Sequence, residues 1–575
     1  MENATIADMF DEIADLLDLE EANAFRVRSY RNAARTVRGL SERVEDMVAE
    51  GRHLSDLPNI GKSTGKKLHE IVDTGTCKRL EQLRAEIPEG VTRLMDVPDL
   101  GPRSAMQLHR ELGIESLDEL RRACEEHRVR SLEGFGEKTE TKILEGIDLL
   151  QKTAGRMLYQ EADEQLSRLG EHLDGLDSVE RWEAAGSYRR GKETIGDLDI
   201  LIHAKNRAQA ADDILETEQI ADVINRGKER MSVRLTNGLQ VDFRFFELNT
   251  FGAALMYFTG SKAHSIRVRR KAVERGWKLN EYGLLSGDTL LAGRDEKAIY
   301  HKLQLPWIPP ELREDRGEIA AAENDTIPDL IEMDDIRGDL QCHTTASDGE
   351  NSIRDMARAA RDFGYRFLAI TDHSKRVTMA NGLDDDETLR HAEAIREADA
   401  EFDDFRLLAG IEVDVLKDGS LDLDPKTLSQ LDWVVASIHY DRHLDQAKMT
   451  DRYVAAAESG VVHTIGHPLG RIIGKRDVIA LDMDRVIQAC LDNNVCLEIN
   501  AQPDRLDLPD VHVQYAREAG VLFSMGTDAH ASGHFSFMRF GVNVARRGWL
   551  SANNVINTHT ADDILKMVRK SRAGR

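Results

Sequence analysis

The sequence has little of several features that would assign it to a special class of protein. Its 575 residues include five cysteines and no Cys-x-x-Cys pair, which disfavours a disulfide framework and a zinc ribbon and favours a reducing compartment. No apolar run approaches the roughly 20 residues of a membrane span, and the first residues lack the charged and apolar regions of a secretion signal. These absences predict a cytoplasmic protein that contacts no membrane.

Positive charge is also scarce. Lys and Arg number 77 against 103 Asp and Glu, which gives a net charge of −26 and excludes a uniformly basic nucleic-acid coat. Local patches rather than the global sum bind phosphate, however. Residues 26–38 contain five arginines and no acid. We interpret them as a phosphate-binding stretch, with a solvated helix face as the alternative. At about 150 residues per domain, the length predicts roughly four domains.

Three short repeats occur within the first 150 residues, each an apolar-x-x-apolar-Gly stretch followed by a helical pattern. They span Leu57–Gly61, Val97–Gly101 and Leu132–Gly136. Glycine permits a tight turn, and the helix that follows presents free N–H groups to a phosphate oxygen. The repeats resemble the helix-hairpin-helix motif. They predict that Gly61, Gly101 and Gly136 contact the DNA backbone without reading its sequence.

A cluster of acids falls on two predicted strands. Asp197 and Asp199 are two residues apart in a strand over 197–202, so their carboxylates share one face. Asp242 alternates with apolar residues over 239–246, which places it on a polar face. Neighbouring carboxylates repel one another unless cations compensate, and Mg²⁺ prefers oxygen ligands. The pattern predicts a site for two Mg²⁺ ions, with surface aspartates that cap a turn as the alternative.

With the Gly186-Ser187 pair before it, this cluster resembles the nucleotidyltransferase signature of family X DNA polymerases, the group that includes vertebrate DNA polymerase beta. The resemblance covers residues 1–312 and implies templated synthesis from deoxynucleoside triphosphates on gapped or nicked DNA. It implies that the three aspartates are catalytic and that Arg269 contacts the template strand. The residues that it assigns to the incoming nucleotide are Gly186, Ser187, Arg190, Gly196, Tyr257, Phe258, Gly260 and Ser261.

Some positions depart from the family pattern. Gln240 replaces an arginine that helps to orient the primer end, and Ser265 replaces an asparagine that some relatives use in the minor groove. Lys67 lies where beta-like relatives carry a Schiff-base lysine, which implies a deoxyribose-phosphate lyase. Because Ser63 replaces a nearby lysine of those relatives, neutralisation of phosphate by Lys66 and Lys67 is the alternative.

Histidines and acids recur through the C-terminal part, nearly always where an apolar, β-like run ends before a helical pattern. Ligands at the strand C-termini of a barrel converge on one face. Several histidines together with carboxylates predict a polynuclear Mn²⁺ or Zn²⁺ site rather than isolated core histidines. The predicted ligands are Gln341, His343, Asp348, His373, Glu412, His439, His467, Asp528 and His530.

This ordered set resembles the polymerase-and-histidinol-phosphatase (PHP) domain, a trinuclear phosphoesterase, over residues 336–575. The resemblance implies that Glu412 bridges two ions. Gln341 stands where most members have histidine; its amide oxygen is a weaker and harder ligand, which favours Mn²⁺. The three implied ligand sets are Gln341, His343, Glu412 and Asp528; Glu412, His439 and His467; and Asp348, His373 and His530.

The whole sequence therefore resembles a bacterial or archaeal-type family X DNA polymerase fused to a C-terminal PHP domain, in a multidomain α+β and α/β chain. The predicted domains are a helix-hairpin-helix DNA-binding domain (1–87), fingers with further helix-hairpin-helix motifs (88–150), a nucleotidyltransferase palm (151–247), a thumb (248–312), an acidic linker (313–335) and a distorted (β/α)7-type PHP barrel (336–575).

The predicted function is the filling of short gaps in base excision repair, with metal-dependent 3′–5′ exonuclease or 3′-end processing by the PHP domain. We expect a monomeric, cytoplasmic protein that associates with the nucleoid. One alternative is a gap-binding polymerase or scaffold with an inactive PHP domain, which the retained acids disfavour. Another is a nucleotidyltransferase that acts on RNA or small molecules and is paired with a phosphatase. The helix-hairpin-helix repeats and Tyr257-Phe258 disfavour it.

Overall fold

The computed structural model describes residues 3–573 apart from 20–23, 41, 42, 58, 88, 96, 98, 99 and 154. Pro58, Pro98 and Asp99 of the predicted helix-hairpin-helix repeats therefore lie outside the described residues. Within the described ranges, no helix is long and apolar enough to cross a membrane.

Helices form the first part of the chain around a single apolar core. Ile6, Phe10, Ile13 and Leu17 recur at helical spacing, and all four are fully buried along one face of the first helix. The helices are α1 (Asn3–Leu19), α2 (Ala24–Gly39), α3 (Val44–Ala49), α4 (Lys62–Thr74), α5 (Lys78–Glu86), α6 (Glu89–Leu94), α7 (Pro102–Leu112), α8 (Leu117–Glu125) and α9 (Glu137–Thr153).

The motif glycines directly precede helices, and a turn lies just before each of them. Gly61 and Gly101 are the N-caps of α4 and α7 with φ of −76° and −72°, angles that any residue adopts. A Cβ atom at Gly61, Gly101 or Gly136 would meet no described atom within 4 Å. A positive φ is therefore not the reason for glycine at 61 and 101, although hydrogen-bonded turns do precede these helices, since Ile60 N donates to Leu57 O at 3.2 Å and Leu100 N donates to Val97 O at 3.0 Å. Their lack of a side chain instead leaves the helix N-terminus uncovered.

The next region is built on a mixed five-stranded sheet that carries the predicted catalytic aspartates. Its elements are β1 (Met157–Leu158), α10 (Tyr159–Asp174), β2 (Arg181–Ala184), α11 (Gly186–Arg189), β3 (Thr194–Ile195), β4 (Asp197–His203), α12 (Arg207–Ile214), β5 (Ile220–Arg226), β6 (Arg230–Leu235) and β7 (Gln240–Phe245). The strand order is β2-β4-β7-β6-β5, and β4 runs parallel to β7. This pairing places the two aspartate-bearing strands side by side.

Three helices and a small antiparallel sheet follow and share an apolar core. The elements are α13 (Phe251–Thr259), α14 (Lys262–Val273), β8 (Lys278–Asn280), β9 (Gly283–Ser286), β10 (Thr289–Ala292) and α15 (Glu296–Lys302). Phe251 and Ala254 of α13 pack with Leu201 of the five-stranded sheet. The end of α13 is thereby held beside the aspartates.

The acid-rich segment predicted as a linker is folded against its neighbours. It contains α16 (Glu318–Glu323), and Arg313 and Glu318 are fully buried. Glu318 accepts from His264 of α14 at 2.7 Å. Its composition predicts a solvated linker, because residues 311–335 include ten acids and few apolar residues. The segment instead packs between the region of α13–α15 and the C-terminal barrel.

The last part of the chain is a parallel seven-stranded barrel, as the sequence predicts. The strands follow sequence order from β11 to β17, and Cys342 of the first strand bridges to Ala529, just after the last. The strands are β11 (Gly338–Cys342), β12 (Phe367–Ile370), β13 (Arg406–Asp414), β14 (Trp433–Ser437), β15 (Thr464–Ile465), β16 (Cys496–Asn500) and β17 (Phe523–Gly526).

Helices cover the outside of this barrel, and every residue of β12, β14, β16 and β17 is buried. This burial is expected of a parallel sheet whose two faces are both covered. The helices are α17 (Ile353–Phe363), α18 (Asp385–Asp399), α19 (Pro425–Leu428), α20 (Gln446–Glu458), α21 (Met483–Asn493), α22 (Asp510–Ala519), α23 (Met538–Arg547) and α24 (Ala561–Ala573).

A buried ion cluster joins the palm to the thumb region. Glu296 accepts from Arg189 at 2.8 Å and from the fully buried Arg313 at 2.7 Å. Burial raises the pKa of Glu296, but Arg313 and Arg189 outweigh burial and hold this pKa well below its ordinary value. The ionised carboxylate therefore stabilises the folded state at neutral pH.

Replacement of Glu296 by glutamine should destabilise this unit by about 3–5 kcal/mol, because the fully buried Arg313 and the half-buried Arg189 lose their counterion. Thermal unfolding measured by calorimetry tests this. The difference from wild type should be constant above about pH 5 and shrink as the pH falls below the unfolded pKa of about 4.3. Glu401→Gln, in an exposed pair with Arg354, serves as the control and should change little. Equal melting of Glu296→Gln and wild type would contradict the prediction.

Candidate active sites

The three predicted catalytic aspartates lie on adjacent strands. The register pairs Asp199 of β4 directly with Asp242 of β7, and Asp197 with Gln240. Asp197 is exposed, Asp199 is half-buried and Asp242 is 3% exposed. The strand alternation thus presents carboxylates at graded depth on one face of the sheet.

Two arginines offset part of the negative charge of these aspartates, and the amide of Gln240 donates a further hydrogen bond. Asp242 accepts from Arg230 at 2.7 Å, from Arg244 at 3.2 Å and from Gln240 at 3.2 Å. Arg244 also reaches Asp199 at 3.3 Å. Burial nevertheless raises the pKa of Asp199 to about 6. Such a carboxylate, whose burial outweighs the nearby arginine, is suited to bind a cation.

The turn over residues 186–192, which begins with α11, lies directly over Asp199. Gly186 has φ of +62°, and a Cβ atom there would come within 2.9 Å of an oxygen of the Asp199 carboxylate. Glycine is therefore required where the turn meets the acid. Arg190, at the end of this turn, pairs with Glu314 at 3.0 Å and donates to the Thr259 carbonyl. Its guanidinium group thus has a carboxylate partner that an incoming phosphate would have to displace.

The aromatic pair at the end of α13 faces the same site. The Arg244 guanidinium carbon lies 4.2 Å from the centroid of the Phe258 ring, so this arginine contacts both the aspartates and the aromatic pair. Tyr257 is 39% exposed, and the Arg269 guanidinium lies 5.9 Å from its ring centroid. A small cavity between α13, α14 and β8 is lined by Tyr257, Ser265 and Arg269.

The second site lies at the C-terminal ends of the barrel strands. Two groups of predicted ligands have atoms within 4.8 Å of one another, and both include His373. They are His343, Asp348, His373 and His530, and His373, Glu412 and His439. His467 lies 2.9 Å from Glu412, and His343 lies 3.1 Å from Asp528. The barrel therefore gathers residues that are up to 187 positions apart, from His343 to His530.

The buried polar atoms at this site fit a metal centre. Among the described residues, both ring nitrogens of His343, Nδ1 of His373 and Oε2 of Glu412 are buried without a hydrogen-bond partner. His373 Nδ1 and Glu412 Oε2 are 3.0 Å apart but out of hydrogen-bond alignment, as ligands around a shared ion are. Burial lowers the pKa of His530, but Asp348 outweighs burial and raises it to about 9.

Gln341 is fully buried in β11, two residues before His343. With its amide nitrogen facing Glu498, it donates to Glu498 Oε2 at 3.2 Å. Burial and the neighbouring Asp528 raise the pKa of Glu498 well above its ordinary value. Sequence reasoning missed Glu498, whose only signal is its position near the end of an apolar strand.

Sequence reasoning also missed two buried aspartates beside the predicted ligands. Asp414 accepts from the backbone N–H of His439 at 3.0 Å and contacts its ring nitrogen at 3.2 Å. Asp372 binds His391 at 2.8 Å and the backbone N–H of Thr344 at 2.8 Å, next to His343. Asp414 is two residues after Glu412, and Asp372 is adjacent to His373. This spacing is the signal that could have found them.

A separate basic cavity of about 570 Å³ lies between α2, α4 and α5. Lys67 lines this cavity and donates to Ser63 Oγ at 3.0 Å. Its amine lies 5.6 Å from the Tyr30 ring centroid. Other cationic side chains in the lining are Arg26, Lys66, Lys78 and Arg79. Arg31 and Arg38 of the arginine-rich stretch instead pair with acids of α1, so only part of that stretch faces the cavity.

Family models match most of the chain up to residue 502. They are the helix-hairpin-helix domain (residues 1–77), the SAM-like helix-hairpin-helix tandem (91–148), the DNA polymerase beta palm (156–254), the DNA polymerase beta thumb (254–314) and the PHP domain (339–502). The polymerase motifs and the PHP motifs therefore belong to recognised domains in one chain.

Individual proteins match either the whole chain or one of its halves. The Bacillus subtilis protein named DNA polymerase/3′-5′ exonuclease PolX is 37% identical over 99% of this chain and 100% of its own length. DNA polymerase lambda of Arabidopsis thaliana is 25% identical over 54% of this chain and 62% of its own. A Vibrio parahaemolyticus protein named as a probable phosphatase is 27% identical over 39% of this chain and 91% of its own. This chain belongs to the family X DNA polymerases that carry a C-terminal PHP domain.

Proposed function

We propose that this protein is a DNA-directed DNA polymerase that fills short gaps during base excision repair and that processes 3′ ends with its PHP domain. The full-length similarity to a protein named DNA polymerase/3′-5′ exonuclease supports both activities. The observation that carries the polymerase assignment is the direct pairing of Asp199 with Asp242 beneath the Gly186 turn. Its substrates are deoxynucleoside triphosphates and gapped or nicked DNA.

Asp197, Asp199 and Asp242 would hold two divalent ions, which we assign as Mg²⁺ because the ligands are all carboxylate oxygens. When bound, such ions neutralise the triphosphate and activate the primer hydroxyl. The side chains of the protein bind and orient the triphosphate. The triphosphate binds over the open turn at Gly186 and Ser187, and Arg190 exchanges Glu314 for a phosphate oxygen. Arg244 yields its aspartate contacts while it stays stacked on Phe258.

The aromatic pair would discriminate among nucleotides at the sugar. Tyr257 and Phe258 lie at the end of a helix whose buried face is fixed in the palm core, so their rings form a firm wall. Rings in this position would exclude a 2′-hydroxyl group sterically. Gly260 and Ser261 belong to the same segment and would also contact the nucleotide. Arg269 on α14 would contact the template strand, and the uncovered helix N-termini at Gly61, Gly101 and Gly136 would bind DNA phosphates.

At the barrel mouth, the nine predicted ligands would hold ions that we assign as Mn²⁺ or Zn²⁺, because imidazole nitrogens favour transition metals. Such ions supply a nucleophile at neutral pH and polarise the phosphoester. Asp414 fixes the ring of His439, while Glu412 links His373 and His467. Removal of a 3′ phosphate is a second candidate reaction, favoured by the match of this half to a protein named as a phosphatase.

Replacement of Asp242 by asparagine should lower single-nucleotide gap filling at least a hundredfold, because the amide keeps the shape but loses the charge that holds an ion. Primer extension under single-turnover conditions measures this. Binding of gapped DNA and 3′ processing should persist. Asp222→Asn, at an exposed site on β5, is the matched control and should extend normally. Extension by Asp242→Asn at the wild-type rate would refute the assignment.

Replacement of Glu412 by glutamine should abolish degradation of 3′ ends, because each carboxylate oxygen of Glu412 faces a different histidine. Degradation of a labelled primer in Mn²⁺ and in Mg²⁺ tests this, and wild type should be at least as active in Mn²⁺. Gap filling should be retained, since the aspartates lie on another sheet. Glu458→Gln, at the exposed end of α20, is the control. Persistent degradation by Glu412→Gln would place the activity elsewhere.

Lys67→Ala should eliminate the covalent adduct that borohydride traps on a 5′-deoxyribose-phosphate end, if the Lys67 amine is the Schiff-base nucleophile. Gel shift of the labelled adduct reads this out. Lys66→Ala removes a second amine from the same cavity and should retain the adduct. If wild type forms no adduct, the lyase proposal is wrong and the cavity binds phosphate only.

A further inference from the structure

A helix of the PHP barrel lies against the back of the nucleotide-binding turn. Asn543 of α23 donates through Nδ2 to the Gly191 carbonyl at 2.8 Å. One turn further along, the Arg547 guanidinium donates to the Arg190 carbonyl. Two consecutive carbonyl groups of the turn are therefore bound by side chains that lie more than 350 residues away.

The fit between these two surfaces is close. Gly191 has φ of +65°, and a Cβ atom there would overlap the Asn543 amide. The turn itself is closed by hydrogen bonds from Gly191 N to Tyr188 O at 2.8 Å and from Lys192 N to Ser187 O at 3.1 Å. Glycine is thus needed at 191 both for the backbone angle and for contact with α23. The turn is held from its far side, opposite Asp199.

Charged groups fix Arg547 in place. Its side chain is 3% exposed and lies 2.6 Å from Asp510 and 3.2 Å from Glu314. Glu314 also accepts from Arg190, the residue proposed to bind the triphosphate. Burial raises the pKa of Glu314, but Arg547 and Arg190 outweigh burial and hold it below its ordinary value. The shared carboxylate therefore links the position of Arg190 to that of α23.

Further contacts anchor the same face of the palm on either side of the turn. Arg471 of the barrel pairs with Glu193 at 2.6 Å, and Arg539 pairs with Asp163 at 2.7 Å. Tyr188 donates to Asp163 as well, so this second pair connects to the turn. The contact is a surface with several attachment points rather than a single ion pair.

We propose that Asn543 and Arg547 of the PHP barrel are positioning residues for nucleotide binding by the polymerase. They hold the carbonyl groups of residues 190 and 191 toward the barrel, so that the opposite side of the turn faces the triphosphate. The inference rests on the proposed polymerase function. It assigns the barrel a role in synthesis that is separate from its own metal site.

A brace of this kind acts on the binding of the nucleotide in the ground state and the transition state alike. Its loss therefore raises KM for the nucleotide and leaves kcat nearly unchanged. Asn543→Ala removes one hydrogen bond to a carbonyl group, which corresponds to roughly a three- to tenfold increase in KM. Asn543→Asp keeps the shape of the side chain but replaces the donor by an acceptor. It should raise KM at least as much.

The experiment measures single-nucleotide incorporation on gapped DNA at varied nucleotide concentration, with the full-length chain. Asn493→Ala is the matched control, since it removes the same amide from α21, where it binds a carbonyl group of its own helix. Thermal unfolding and 3′ degradation by each variant check that the barrel is folded. Arg547→Lys, which keeps the buried charge but loses the planar fork, should also raise KM.

Higher KM in all three variants at α23, with kcat and 3′ degradation at the wild-type level, supports the brace. Unchanged KM in Asn543→Ala and Asn543→Asp overturns it. A lower melting temperature with unchanged KM assigns these residues a structural role only and overturns it too. Absence of incorporation by the wild-type chain would instead refute the polymerase function itself, which separates the two failures.

Discussion

Crowding of carboxylates is the constraint on which both proposed sites depend. In the palm, β-sheet register brings Asp199 opposite Asp242, and burial raises the pKa of Asp199 to about 6 even with Arg244 nearby. In the barrel, strand ends converge on Glu412, which is buried among four histidines. Groups that have lost water and repel one another destabilise a fold unless cations compensate. The two sites solve the problem with different partners, arginines in the palm and histidines in the barrel.

The different partners explain why one chain would carry two chemistries. Carboxylate oxygens alone favour Mg²⁺, which suits the transfer of a nucleotidyl group from a triphosphate. Mixed imidazole and carboxylate ligands favour transition metals, which suit hydrolysis of a phosphoester. The folded segment that contains Arg313 and Glu318 contacts both parts of the chain, since Glu318 accepts from His264 and Arg316 pairs with Asp510 at 3.0 Å. The proposed role of α23, which binds the carbonyl groups of residues 190 and 191, would make nucleotide binding depend on the barrel.

Much of this arrangement could be predicted from the sequence because it obeys local rules. The two-residue spacing of Asp197 and Asp199 and the alternation around Asp242 follow from strand geometry. The repeated placement of histidines and acids after apolar runs indicated a parallel barrel with one functional face, and the seven-stranded barrel is confirmed.

Long-range partners could not be predicted in this way. The bond from Arg547 to the Arg190 carbonyl joins residues 357 positions apart, and nothing local to either residue indicates it. The contact of Gln341 with Glu498 depends on barrel register in the same way. The folded acid-rich segment shows a further limit, since a few buried side chains decide its structure while exposed acids dominate its composition. At Gly61 and Gly101 the residue type was informative, but its physical reason emerged only from the backbone angles and open surroundings.

The central claim is that both groups of crowded side chains are metal centres within one chain. Anomalous X-ray diffraction from crystals of the full-length protein with gapped DNA, a non-hydrolysable nucleotide and Mn²⁺ tests it most directly. The account predicts anomalous peaks between Asp197, Asp199 and Asp242, and further peaks among His343, His373, Glu412 and His530. Well-ordered side chains at either position with no anomalous peak between them would contradict it.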